Sequence, residues 1–223
     1  MTLYRKHAQG QTVKGDFSLT NDNIDKYHTM AKQMDEDVRW VKTYLNLLNK
    51  RDYPELNTDS LYTPEYISRR LEKLKAQNPL TQDVEKLIKV TQELEKVEKE
   101  MAKMRPLVFD KIEGQKVEHH ERMSELNDRF NELEEEINNI YALKYGDLRT
   151  HLPKIYYMIL EGVDIETVNS CFIKMKFVLS GKLSTEAAAS KLMDESQAKY
   201  NLPKTIYDPI RMNGSAGTKT KGK

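Results

Sequence analysis

The residues best suited to chemistry are a histidine pair, a run of glutamates and a single cysteine. Glu118, His119, His120 and Glu121 carry nitrogen and oxygen donors of the kind that bind zinc. Neighbours on a helix point about 100° apart, so His119 and His120 cannot face one ion. The positions three and four from His119 hold Gln115, Lys116, Arg122 and Met123 instead of ligands. Glu132, Glu134, Glu135 and Glu136 could supply carboxylates to a hard cation, but consecutive helical positions spread them around the axis, and no loop of Asp and Gly gathers them. Both stretches read as solvated helix faces, and no metal or other cofactor is expected.

Cys171 lies between Ser170 and Phe172 in a stretch with helical periodicity. A nucleophilic thiol needs a base, and His151 is one that the fold could bring near; a half-apolar helical setting favours a buried small side chain instead. The chain contains no Gly-rich phosphate loop, no Gly-x-Ser-x-Gly and no His-Glu-x-x-His. The expectation is a protein without catalytic residues.

The elements that hold these residues follow from hydrophobic spacing. Leu87, Val90, Leu94, Val97, Met101, Met104 and Val108 alternate steps of three and four, as do Met123, Leu126, Phe130, Leu133, Ile137 and Ile140. Each set makes a narrow apolar seam on a charged helix, the pattern by which helices pack on helices. Pro106 and Gly114 fall between the seams, so a break is expected near 105–115. The result is either a hairpin or a kinked rod of roughly 97 Å at the helical rise. Leu87 and Met123 are about ten turns apart, so helical phase alone does not choose.

A third seam, Ile24, Tyr27, Ala31, Met34, Val38, Val41, Leu45 and Leu48, starts behind the capping residues Thr20 to Asp22, with Trp40 just off it. Residues 50–62 have loop composition. Thr63-Pro64-Glu65 then opens a helix with Ile67, Leu71 and Leu74 on its buried side, closed by Asn78-Pro79. Gly146-Asp147 is read as the end of the long helix. Three shorter, more apolar helices follow, about 152–161, 165–180 and 185–200, with Gly162 and Gly181 at C′ and Asp164 and Ser184 as N-caps. Their expected core includes Ile155, Ile159, Val168, Phe172 and Ala188.

The expected fold is therefore all-α: a long helical hairpin or coiled coil packed with an N-terminal helix, plus a small C-terminal three-helix module. Residues 1–20 form a basic N-terminal arm, 21–145 the elongated bundle, 146–202 the module and 203–223 an extended tail rich in Gly, Ser, Thr and Lys. The composition agrees: 32% charged and 38% hydrophobic, with 9 Gly and 7 Pro in 223 residues. A net charge of +1 creates no global field towards nucleic acid, so a basic patch must be local. A lone cysteine excludes an internal disulfide and a Cys-based zinc site. The opening residues lack the apolar run of a signal peptide, and no window is apolar enough for a membrane span; the cytoplasm, or a particle assembled inside a cell, is the expected location.

Gly181-Lys182-Leu183-Ser184-Thr185-Glu186-Ala187-Ala188 resembles the opening helix of some helix-turn-helix DNA-binding modules. The resemblance implies a tight turn and a basic recognition helix next, where this chain has Met193-Asp194-Glu195-Ser196 and then Pro203. Phosphate contacts are better placed at the termini: Arg5, Lys6 and Lys14 at one end, and Lys204, Arg211, Lys219, Lys221 and Lys223 at the other.

These readings predict a non-enzymatic structural or assembly subunit, an oligomer or part of a larger complex, such as a virus or phage particle. Its partner-binding surface is the seam of Leu87, Val90, Leu94, Val97, Met101, Met104, Met123, Leu126, Phe130, Leu133, Ile137 and Ile140. The alternative is a nucleic-acid-associated accessory factor that grips phosphates through its basic termini.

Overall fold

The computed structural model describes residues 18–54, 61–109 and 116–200. The basic residues Arg5, Lys6, Lys14, Lys204, Arg211, Lys219, Lys221 and Lys223 lie outside these, as do nearly all of the expected arm and tail. The fold is all-α, with seven helices and no strand among the described residues. They are α1 (Asn21–Asp52), α2 (Pro64–Gln77), α3 (Gln82–Phe109), α4 (Lys116–His151), α5 (Pro153–Leu160), α6 (Ile165–Leu179) and α7 (Thr185–Tyr200).

The helix starts follow local chemistry. At α1, Thr20 and Asn23 cap each other: the Thr20 amide donates to Asn23 Oδ1 at 2.8 Å and the Asn23 amide to Thr20 Oγ1 at 3.3 Å. At α2, Thr63 Oγ1 accepts from the Tyr66 amide at 3.2 Å, ahead of Pro64 in the first turn. Ser184 Oγ accepts from the Ala187 amide at 3.2 Å at the head of α7. Gly162, with φ of 81°, and Gly181, with φ of 70°, occupy the left-handed positions that close α5 and α6.

Packing divides the chain into two units, the first containing Thr29–Ile165 and the second Ser18–His28 with the segment from Glu166 onward. Helix α5 packs on α4 within the first unit.

In the first unit, α3 and α4 lie antiparallel. Val90, Val97, Met101, Leu126 and Leu133 are buried together, flanked by Leu94, Met104, Met123, Phe130 and Ile137. Across the seam Lys86 pairs with Glu136 at 2.8 Å, Arg129 with Glu93 at 2.5 Å and Arg122 with Glu100 at 2.7 Å. The paired positions advance by seven on α3 and retreat by seven on α4, so the chain turns back on itself rather than continuing as a rod. The helix does not break at Pro106: α3 runs on to Phe109. The carbonyl that Pro106 leaves without an amide donor belongs to Ala102, which is exposed and open to water.

Next to Gly146, where the long helix was expected to end, helical geometry is interrupted at Tyr145 (φ −116°, ψ 24°), and a second helical stretch of α4 follows the kink to His151. Burial explains the continuation: Tyr145 is 2% exposed and Leu148 fully buried, so the last two turns are held by packing. Tyr145 Oη and Lys144 Nζ both donate to Asp37 Oδ2 of α1 at 2.6 Å, clamping the bend. Inside α4, Asn138 is fully buried; its main-chain oxygen accepts from Tyr156 Oη of α5 at 2.8 Å. The third seam is buried as expected, from Ala31 and Met34 to Leu45 and Leu48. Trp40 ties α1 to α2, donating to the Leu74 carbonyl at 3.2 Å while stacking on Tyr44.

In the second unit, Ile24 and Tyr27 of α1 are buried, as are Val168, Phe172 and Ala188. His28 stacks on Phe172 with ring centroids 4.7 Å apart and places Nε2 2.7 Å from Asn169 Oδ1. Lys176 forms an ion pair with Asp25. Helix α7 continues unbroken through Met193-Asp194-Glu195-Ser196, where a helix-turn-helix module would turn, so its resemblance to one ends with the first helix.

Candidate functional site

The candidate site is a groove in the first unit, of about 880 Å³. Its floor is apolar: Val38 and Val41 from α1, Leu94 and Met101 from α3, Phe130, Ile137 and Tyr141 from α4, and Leu160 from α5. Among the described residues, Glu98, Glu134, Glu161 and Lys42 line it, with Thr91, Asn127 and Asn131 as neutral polar groups.

The groove exists because three helices meet with unequal commitments. Seam residues of α3 and α4 with their side chains most nearly between the two helices are buried, Leu133 to 1%. Leu94, Phe130 and Ile137 sit on the seam's edge and are only half-buried. Helix α1 is tied to α3 where Asn49 Nδ2 donates to Glu95 Oε2 at 2.9 Å, and to α4 through Asp37. Along α4 the lining runs from Asn127 to Tyr141, about 21 Å at the helical rise, roughly four turns. Phe130, Ile137 and Tyr141, at steps of seven and four, present a helical stripe of the type that receives the side chains of another amphipathic segment.

Three buried tyrosines of the first unit are held in protonated form. Burial pushes the Tyr141 hydroxyl above its ordinary value of 10, with Asp37 adding to it. Burial and the hydrogen bond to Asp37 do the same to Tyr145, and burial to Tyr156. Such groups are neutral hydrogen-bond donors across the ordinary pH range.

Most residues singled out by sequence are placed apart from the groove. His119 is half-buried and His120 exposed, and among the described residues no group of three His, Cys, Asp or Glu is arranged to hold a metal. The glutamate run divides as its helical positions require: Glu132 pairs with Arg129 at 3.0 Å, Glu136 pairs with Lys86, and Glu134 lines the groove. Cys171 is half-buried in the second unit, its thiol pushed up by burial, while His151 belongs to the first.

Of the seam residues expected to meet a partner, Leu87, Val90, Val97, Met101, Leu126 and Leu133 are buried within this chain. Leu94, Phe130, Ile137 and Met101 line the groove, and Ile140, half-buried, lines a separate cleft with Lys86 and Leu143.

One constellation escaped the sequence reading. In the second unit Lys174, 7% exposed, places Nζ 2.7 Å from Ser170 Oγ and 2.6 and 2.7 Å from the two oxygens of Glu195. A serine beside a lysine can serve as a nucleophile and base, but here Ser170 Oγ donates to Glu195 Oε2 at 2.6 Å and the amine is bracketed by a carboxylate. Lys174 and Ser170 hold the Glu195 carboxyl below its ordinary range. The arrangement ties α6 to α7. The four-residue spacing of Ser170 and Lys174 was readable; Glu195, on another helix, was not.

No protein family, no curated protein and no solved structure matches this chain. Its functional reading rests on its own residues.

Proposed function

We propose that the protein is a non-enzymatic assembly subunit that receives an amphipathic segment of a partner protein in the groove between α1, α3 and α4. The observation that carries this reading is the half-buried stripe of Leu94, Phe130 and Ile137 beneath a cavity of about 880 Å³. In this reading the α3–α4 seam holds the chain together, and its edge makes the contact. A cytoplasmic setting or an intracellularly assembled particle suits such a subunit. The phosphate-binding alternative draws on the basic termini and predicts salt-sensitive binding to nucleic acid.

The test compares tagged full-length protein with a Glu98→Lys, Glu134→Lys variant in the cells that make it. The wild type is expected to elute in a complex heavier than the purified chain, and the variant to elute at the purified chain's own mass with unchanged helical circular dichroism. A wild type that elutes alone, or a complex indifferent to the reversal, contradicts the reading.

A further inference from the structure

Helix α2 has an outer face that the groove does not use: none of the groove's described lining residues belongs to it. Its inner face buries Ile67, Leu71 and Leu74 and receives the Trp40 hydrogen bond from α1. Around the helix axis Arg69, Arg70 and Lys73 lie within about 60° of Tyr66, whereas Glu65 and Glu72 lie about 100° and 120° away on one side and the buried residues about 80° to 140° away on the other. The stripe of Tyr66, Arg69, Arg70 and Lys73 is exposed, Tyr66 to 46%.

The cations of this stripe are uncommitted. Glu65 stands four residues before Arg69 and Glu72 three after it, spacings that permit ion pairs on a helix. Among the described residues, however, Arg69, Arg70 and Lys73 make no ion pair or hydrogen bond. Arg39, Arg51, Arg122 and Arg129, by contrast, each pair with a carboxylate. A guanidinium without a partner in its own chain keeps its planar fork open to an external anion.

The ring beside them is supported from behind. Tyr66 meets Tyr62 at right angles with ring centroids 5.6 Å apart, and Lys50 Nζ sits 3.1 Å from the centre of the Tyr62 ring. A ring braced in this way loses little freedom when another flat group stacks on it. We propose that the outer face of α2 binds single-stranded nucleic acid: an unpaired base stacks on Tyr66 while Arg69, Arg70 and Lys73 hold the neighbouring phosphates. An acidic peptide would use the cations but has no planar base to lay on the ring. A duplex keeps its bases stacked on one another, out of reach of a side-chain ring.

Three phosphate contacts set the salt response. Affinity for a single strand should scale with salt to a power of about −2, a loss of about 20-fold between 50 and 200 mM. The experiment titrates a fluorescently labelled oligothymidylate of about 12 nucleotides with the full chain over that range and reads anisotropy. Tyr66→Ala is expected to weaken binding about five- to 150-fold with the salt slope unchanged, and Tyr66→Phe to retain it. Arg69→Gln with Arg70→Gln and Lys73→Gln is expected to reduce the slope by about 2. All four side chains are exposed, and unchanged helical circular dichroism verifies that each variant folds. Three results would each overturn the proposal: no binding at the low-salt end, equal affinity for a duplex of the same length or for polyglutamate, or either set of α2 variants binding like the wild type. The last would move any nucleic-acid contact to the basic termini.

Discussion

Tyr141, Tyr145 and Tyr156 carry the clearest residue-scale consequence of the fold. In the unfolded chain each phenol ionises near its ordinary value of 10; in the folded protein burial, with Asp37 behind Tyr141 and Tyr145, keeps the proton on at higher pH. Above pH 10 the native state therefore binds more protons than the unfolded one, and stability falls as pH rises. The stabilisation is complete below pH 10 and fades above it, at up to about 1.4 kcal/mol per pH unit for each buried tyrosine. Urea midpoints measured from pH 8 to 11.5 should be level to about 10 and then drop. Tyr141→Phe should make that drop shallower; an unchanged slope would show that Tyr141 is not held in its protonated form. The same residues mark a limit of the sequence. Gly146 signals an interruption, which falls at the neighbouring Tyr145, but not that the buried Tyr145 and Leu148 hold a further helical stretch beyond the kink. Nothing local to Gly146 announces a hydroxyl reaching Asp37, more than a hundred residues away.

At the scale of the element, the α3–α4 pairing separates packing from charge. Leu133 is 1% exposed in the centre of the seam, so Leu133→Ala should cost about 2–5 kcal/mol in chemical denaturation. Arg129 bridges Glu93 and Glu132 from the surface, its side chain 45% exposed. Arg129→Ala should leave the denaturation midpoint close to wild type, because water screens exposed pairs. A reversed ranking would mean that ion pairs rather than the apolar seam hold the hairpin. The seams themselves were legible because three-and-four spacing depends only on helical geometry. The antiparallel order of the two helices was also written in the chain, though in its charges. Lys86, Glu93 and Glu100 meet Glu136, Arg129 and Arg122 as three opposite pairs when antiparallel. Aligned in the same direction, Lys86 would face Arg122 and Glu100 would face Glu136, two like-charge clashes. Hydrophobic phase does not contain that information. The groove was legible only in part: Leu94, Phe130 and Ile137 were on the seam, but their half-burial depends on where α1 and α5 come to rest.

For the whole molecule, the α3–α4 seam packs within the chain, and the groove is the surface proposed for its contacts. Two units share α1, whose first turns up to His28 pack in the second unit and whose remainder packs in the first. No described helix is long and apolar enough to cross a membrane. The central claim is that α3 and α4 of one chain close on each other. The direct measurement is zero-length carbodiimide coupling of Lys86 to Glu136, whose amine and carboxylate stand 2.8 Å apart. It is performed on an equal mixture of unlabelled and ¹⁵N-labelled protein and read by mass spectrometry. The account predicts a Lys86–Glu136 cross-linked peptide pair that is wholly light or wholly heavy. Mixed-isotope pairs, or no such link, would show that the seam joins separate chains or forms otherwise, and would contradict it.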